Sequence, residues 1–524
     1  MSCRRWCQFF TLSVCLGLLP TIAFSQEDSS QQSLADVARK LRKDTTNEVR
    51  MTDADTKKLF DSVDKIFAFA AEDSGMPKHA AVKRRLVSKA DVEKYASGAL
   101  AKEEFTKRFA QEELSMKKLG FLPREFNLKE FLVKATGQEI AAYYDDETKT
   151  ISMLNWVPPD RQEPILAHEL THALQDQNYD LRKWMKSAQK GAGNKSNETG
   201  NDDSATARKA VVEGQAMVVY VDYVLAPFKR NLVDTPDLIY SMEEPAVKAV
   251  ADSQMLHDAP MILRESGAFA YNDGLIFEGE LLHKGGKNMA FAGAFARPPR
   301  NSHEVLQPEA YINEEKLPPT GVPDLQQLLG EDYEVYDSGG IGQLDVRAYL
   351  KQYGERKGAD DVSGAWQGGA YVTFHRKNKT ASEASATTAD LALIYISRWR
   401  TSQAAERFAR FYAGAVGQRY RTATAQPASA CSGTNCPVSS AQILTEEGPV
   451  TVEHWGDNSV IVSESFDTTT AEKVRSAVRD GATHAENFPR DEIGLRLYEI
   501  PAFQKLAEEI GAQIAQAITS SQSH

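Results

Sequence analysis

Cysteine is nearly missing from this chain: there are five in 524 residues, and Cys3, Cys7 and Cys15 sit in the first fifteen. The two that remain, Cys431 and Cys436, are too few for a thiolate metal site or a disulfide-dense scaffold. Their short loop suits a single small disulfide in an oxidising compartment. An excess of basic charge is missing too. Lys and Arg number 61 against 73 Asp and Glu, a net charge of −12, which argues against nucleic acid or an anionic membrane as the main partner. Long apolar runs are missing beyond residue 24, so no stable membrane span is expected in the chain that remains after the leader is removed. What is left is an ordinary mixture, 42% hydrophobic and 26% charged, with length for two or three domains and a buried core.

The N-terminus carries the one localisation signal. Arg4 and Arg5 precede an apolar run from Trp6 through Phe24, and Ala23-Phe24-Ser25 sets small residues before Gln26. This is the pattern of a secretory signal peptide over 1–25 and predicts export to the periplasm or beyond. Retention of the segment as an anchor is the alternative. Residues 26–50 are polar and without apolar period, a disordered linker.

Histidine is also sparse, ten in all, which makes one cluster informative. His168-Glu169-Leu170-Thr171-His172 would be met by chance only about 0.01 to 0.02 times in such a chain. On a helix His168 and His172 stack on one face and can bind one metal ion, for which zinc is the natural choice. Glu169, one position along, can hold a metal-activated water as general base without being a ligand. Asp160 and Glu163 form a possible capping box, Pro164 suits a first turn, and Ile165, Leu166, Leu170, Ala173 and Leu174 make an apolar stripe. Two core histidines in hydrogen bonds would use the same spacing.

A catalytic zinc needs a third protein ligand and an open position. Six residues after His172 stands Asn178, a poor ligand, which excludes the simplest metzincin arrangement. Glu213 is the better candidate, on a second predicted helix from about Asp203 to Leu225 that Pro227 stops. Gly214 there gives the backbone room for close packing. Asp176, one turn past His172, is a candidate to orient an imidazole.

The run His168 to Leu181, HELTHALQDQNYDL, with Ala210-Val-Val-Glu213-Gly-Gln-Ala216, resembles a gluzincin-type zinc peptidase. More narrowly it resembles a family of exported bacterial proteins marked by HELTHALQDQ, an EG-x-A helix and a downstream PP-x-x-S-x-E segment, here Pro298 to Leu306. The resemblance reaches from about Val87 to Leu350. It implies His168, His172 and Glu213 as zinc ligands, Glu169 as base and a peptide or protein substrate laid along an edge strand. Gln215 stands where the family often has an acid, and Gln307 where it often has a histidine.

The expected fold class is α+β: a mainly helical, zincin-like catalytic domain over 51–334 with a small edge sheet, then a C-terminal α+β accessory domain over 335–524. In the first, Thr52 and Asp55 cap a helix, and Ala141–Tyr144 and Lys149–Leu154 form a hairpin just before the metal helix. In the second, strands are expected over 370–374, 391–396, 450–455 and 459–464, with helices near Thr401 and Thr468 and a last one over 501–518. Tyr220, Tyr271, His303 and Tyr311 are the candidates for an oxyanion donor. The function expected is zinc-dependent peptide hydrolysis; a catalytically silent envelope binding or scaffold protein of the same shape is the alternative.

Overall fold

The computed structural model describes residues 51–88, 90–91, 103–131, 142–190, 201–236, 238–240, 256, 258–377, 386–427 and 436–481. The predicted leader, the 26–50 linker, Cys431 and the predicted 501–518 helix lie outside them. Cys436 is disulfide-bonded.

Helix α1, Asp53–Ser74, starts as its sequence dictates. Thr52 Oγ1 accepts from the Asp55 N–H, Thr52 N–H donates to the Asp55 carboxylate, and Gly75 ends the helix in the left-handed region. Leu59, Val63, Ile66, Phe67 and Ala70 are its buried stripe. Strand β1, Lys83–Val87, runs parallel to β3, Thr150–Leu154, which pairs antiparallel with β2, Ala142–Asp145. The order β1-β3-β2 leaves β2 on the edge of the three-stranded sheet. The hairpin turn passes through Lys149 at φ 55°.

Helix α2 is Glu103–Leu119 and helix α3 is Pro159–Tyr179. The start of α3 differs from expectation. Pro158 precedes it, Pro159 takes the first turn, no side chain caps it, and Pro164 lies inside the helix. The predicted Asp160–Glu163 box is replaced by Gln162, whose amide accepts from Leu154 N–H and donates to the carbonyls of Leu154 and Val157. A buried amide pinned to β3 therefore positions the helix start. Helix α4 is Leu181–Lys190 and α5 is Asn201–Leu225. The reading that no run beyond residue 24 is long and apolar enough to cross a membrane does not hold by length and composition for Asp203 to Phe228, but most of that stretch is buried within the protein. The same composition serves a helix that is surrounded by core.

After α6, Met261–Ala268, two π-helical segments, Phe269–Asp273 and Asn288–Gly293, flank α7, Gly274–Lys287. Such bulges let a helix change the face it shows. Among the described residues, the chain from Tyr333 onward carries a seven-stranded antiparallel sheet in the order β4-β5-β6-β10-β9-β8-β7, with further helices around it. Its strands are Tyr333–Gly340, Trp366–Arg376, Leu391–Trp399, Ala423–Gln426, Ser439–Thr445, Gly448–His454 and Ser459–Glu464 for β4 to β10. The four expected strands are there as β5, β6, β9 and β10. Asn458, at φ 62°, turns the last hairpin.

Helices α8, Ser402–Arg419, capped by Thr401, and α9, Thr468–Gly481, lie in this region, where helices are expected near Thr401 and Thr468. One hydrophobic cluster runs from Leu59 and Leu170 through Val219 and Phe277 to Tyr395 and Val462. A second, with Val372, Ile394, Ile461 and Val474, packs the opposite face of the sheet against α9. The molecule has both helices and sheets in quantity, an α+β architecture.

Candidate metal centre

One helical turn of α3 sets His168 above His172, and their rings meet edge to face with centroids 4.7 Å apart. The two Nε2 atoms are 3.1 Å from each other. Glu213, from α5, brings its Oε2 to 3.0 Å from the first and 3.3 Å from the second. The helix carrying Glu213 is held there by close packing. A Cβ on Gly214 would lie 2.3 Å from the Gly274 carbonyl oxygen, and one on Gly274 would lie 2.5 Å from that of Ala210. The predicted role of Gly214 in close packing is therefore met against α7.

The three atoms form a nearly equilateral triangle, and its edges test what it can hold. Nitrogen and oxygen ligands at 2.0–2.1 Å in a tetrahedron stand about 3.3 Å apart, so zinc fits the donors present.

All four side chains are buried: His168, Glu169, His172 and Glu213 are 4%, 3%, 9% and 3% exposed. Burial opposes the charge on Glu213, but Lys209, His172 and the imidazole hydrogen bonds outweigh it and hold the carboxyl well below its usual range. Burial also works against protonated His172, yet Glu213 raises its pKa. Burial pushes Glu169 upward against the pull of the two histidines. A Glu169 carboxylate oxygen also lies within 4.8 Å of the imidazole nitrogens. Its Oε2 accepts from the backbone N–H of Tyr144 at 2.9 Å. Glu213 thus sets one oxygen within 3.3 Å of both Nε2 atoms, while Glu169, which with the two histidines forms a group that could also hold a metal ion, is tied to strand β2.

The support of this centre is where the residues depart from expectation. Asp176 does not orient an imidazole. Its Oδ2 accepts from Tyr144 Oη at 2.7 Å and from Lys149 Nζ at 2.5 Å, tying α3 to the hairpin. The imidazole partner is its neighbour Gln175, whose Oε1 lies 2.9 Å from His172 Nδ1. Gln175 Nε2 donates to Val212 O and Gln215 Oε1, and Gln215 Nε2 donates to Ala290 O and Phe291 O. An amide both accepts and donates, which a carboxylate at 215 could not do while ionised. The i to i+3 spacing of His172 and Gln175 is the signal that sequence reasoning passed over. His168 Nδ1, by contrast, is buried with no hydrogen bond among the described residues.

Of the four oxyanion candidates, Tyr271 sets its ring centroid 6.3 Å from that of His168. It rides on the first π-helical segment. Tyr311 Oη donates to Arg297 O at 2.6 Å, His303 Nδ1 pairs with Gln343 Oε1 at 2.7 Å, and Tyr220 is buried in the main core. Gln307 donates to Gly364 O and Gln343 Oε1. No family model, curated protein or solved structure matches this chain.

Proposed function

We propose that this protein is an exported, zinc-dependent peptidase of gluzincin type, with His168, His172 and Glu213 as ligands and Glu169 as general base. The observation that carries the reading is the triangle of two Nε2 atoms and Glu213 Oε2 at 3.0–3.3 Å, with a second carboxylate held apart from it by Tyr144. Bound zinc would supply Lewis acidity, polarising a scissile carbonyl and easing loss of a proton from water.

The chain's own residues do the rest. Glu169 accepts the water proton and returns it to the leaving amine. The Tyr144 N–H fixes one of its oxygens, so the other has a defined direction. Gln175 orients His172 through Nδ1, which leaves Nε2 facing the point shared with His168 Nε2 and Glu213 Oε2. Strand β2 lies on the sheet edge and touches Glu169, so an extended peptide pairing with that edge would lie beside the base.

The burial of all four side chains favours a second reading, a closed structural zinc site in an envelope scaffold or binding protein. One experiment separates the two. Purified protein is assayed for zinc content and for cleavage of a peptide library, alongside Glu169→Gln. The peptidase reading expects full zinc in both, and hydrolysis reduced roughly a hundred- to ten-thousand-fold in the variant. Zinc without cleavage by the wild-type protein would leave the scaffold reading.

A further inference from the structure

Glu213 has two oxygens, and only one faces the histidines. The other, Oε1, is ion-paired with Nζ of Lys209, one turn earlier on α5. The lysine reaches the carboxylate from the more open side, 18% exposed where the Glu213 side chain is 4% exposed. Oε2 remains 3.0 Å from His168 Nε2 and 3.3 Å from His172 Nε2.

We propose that Lys209 is a positioning residue that holds Glu213 as a one-oxygen ligand. This rests on the zinc reading of the centre. A carboxylate free to rotate can offer both oxygens to one metal ion, and the second would take the position that a hydrolytic site must keep open. An ammonium on Oε1 competes for that oxygen at close range in a poorly solvated setting, where the pairing is strong. It also draws electron density from the ligand, leaving a bound ion more electrophilic. The amide chain through Gln175 and Gln215 fixes His172, and Lys209 fixes the carboxylate, so two ligands from different helices are each oriented by a separate support.

The test uses cobalt(II) in place of zinc in the full-length protein, with Lys209→Met, which keeps most of the length and loses the charge, and Lys209→Arg, which keeps the charge on a somewhat longer side chain. The wild-type and arginine proteins should show the intense visible bands of a four-coordinate tetrahedral ion. Lys209→Met should show the weaker bands of five-coordination, with one more oxygen donor by X-ray absorption. With zinc, kcat of Lys209→Met should fall about tenfold or more while KM stays near the wild-type value. If Met at this position prevents folding, Lys209→Gln, whose shorter side chain withdraws its donor from Oε1, serves the same comparison. Identical spectra and donor counts in wild type and the charge-removing variant would overturn the proposal and leave the zinc reading standing. A wild-type protein that takes up no cobalt or zinc would overturn both.

Discussion

Among the described residues, two of the clusters of buried charge are buried to a similar degree for different ends. Around Glu464, at 0% exposure, both oxygens are filled: Arg419 donates at 2.9 and 3.0 Å, Tyr412 at 2.7 Å and Tyr420 at 2.5 Å. Nearby, buried Lys118 donates to Glu447 Oε2 and Ser465 Oγ. Donors there point at acceptors, and the network joins α2, α8 and the sheet. At the His168, His172 and Glu213 centre, two ring nitrogens and one carboxylate oxygen converge on one another instead. Burial and shifted pKa values are common to both clusters. What sets the second apart is three potential ligand atoms, two ring nitrogens and a carboxylate oxygen, within 3.3 Å of one another.

That contrast can be broken by substitution in each cluster. The largest effect is expected at the centre, where Glu213→Ala or His172→Ala should empty the metal site. Stoichiometric zinc in either purified variant, by elemental analysis, would remove the ligand assignment. In the other cluster Arg419→Met strands the Glu464 carboxylate and should cost about 3–5 kcal/mol in unfolding experiments, with zinc content unchanged. Loss of zinc from a folded Arg419→Met protein would show that the two clusters are not independent.

A smaller effect sharpens the comparison at a third place, where Asp222 on α5 faces Asp73 on α1. Burial first, then the Asp73 carboxylate, push Asp222 up to about 8, against the Leu232 N–H that it accepts. Burial raises Asp73 too, against Lys287. The unfolded carboxyl titrates near about 4. Since the folded value lies above it, this contribution is full below about pH 4 and is lost as pH rises through about 8. Melting temperature should therefore decline across that window, by the equivalent of a few kcal/mol at most. Asp222→Asn should flatten the decline, and an unchanged pH profile in that variant would rule the pair out as its source.

Much of the centre was legible along the chain because helix geometry is local. Spacing of four puts His168 over His172 without any knowledge of the fold, and an apolar stripe from Ile165 to Leu174 says which way that helix faces. The hairpin before α3, α5 up to Pro227, and the strands on either side of Asn458 were legible for the same reason. Other features were not. Gln175 and Asp176 are adjacent polar residues, and whether His172 meets one or the other depends on where β2 crosses α3. The start of α3 was misread because Gln162 finds its partners on β3, outside the range of any capping pattern.

By itself the sequence determined which residues could bind a metal together, since periodicity and side-chain chemistry are properties of a single turn. It also determined the α+β alternation of elements. Only the tertiary structure decided that Glu213 reaches the histidines, that Lys209 takes its other oxygen, that Gln215 works as an amide, and in what order seven strands pair. Those depend on two glycines letting α5 and α7 touch, and on contacts between segments that no local pattern encodes.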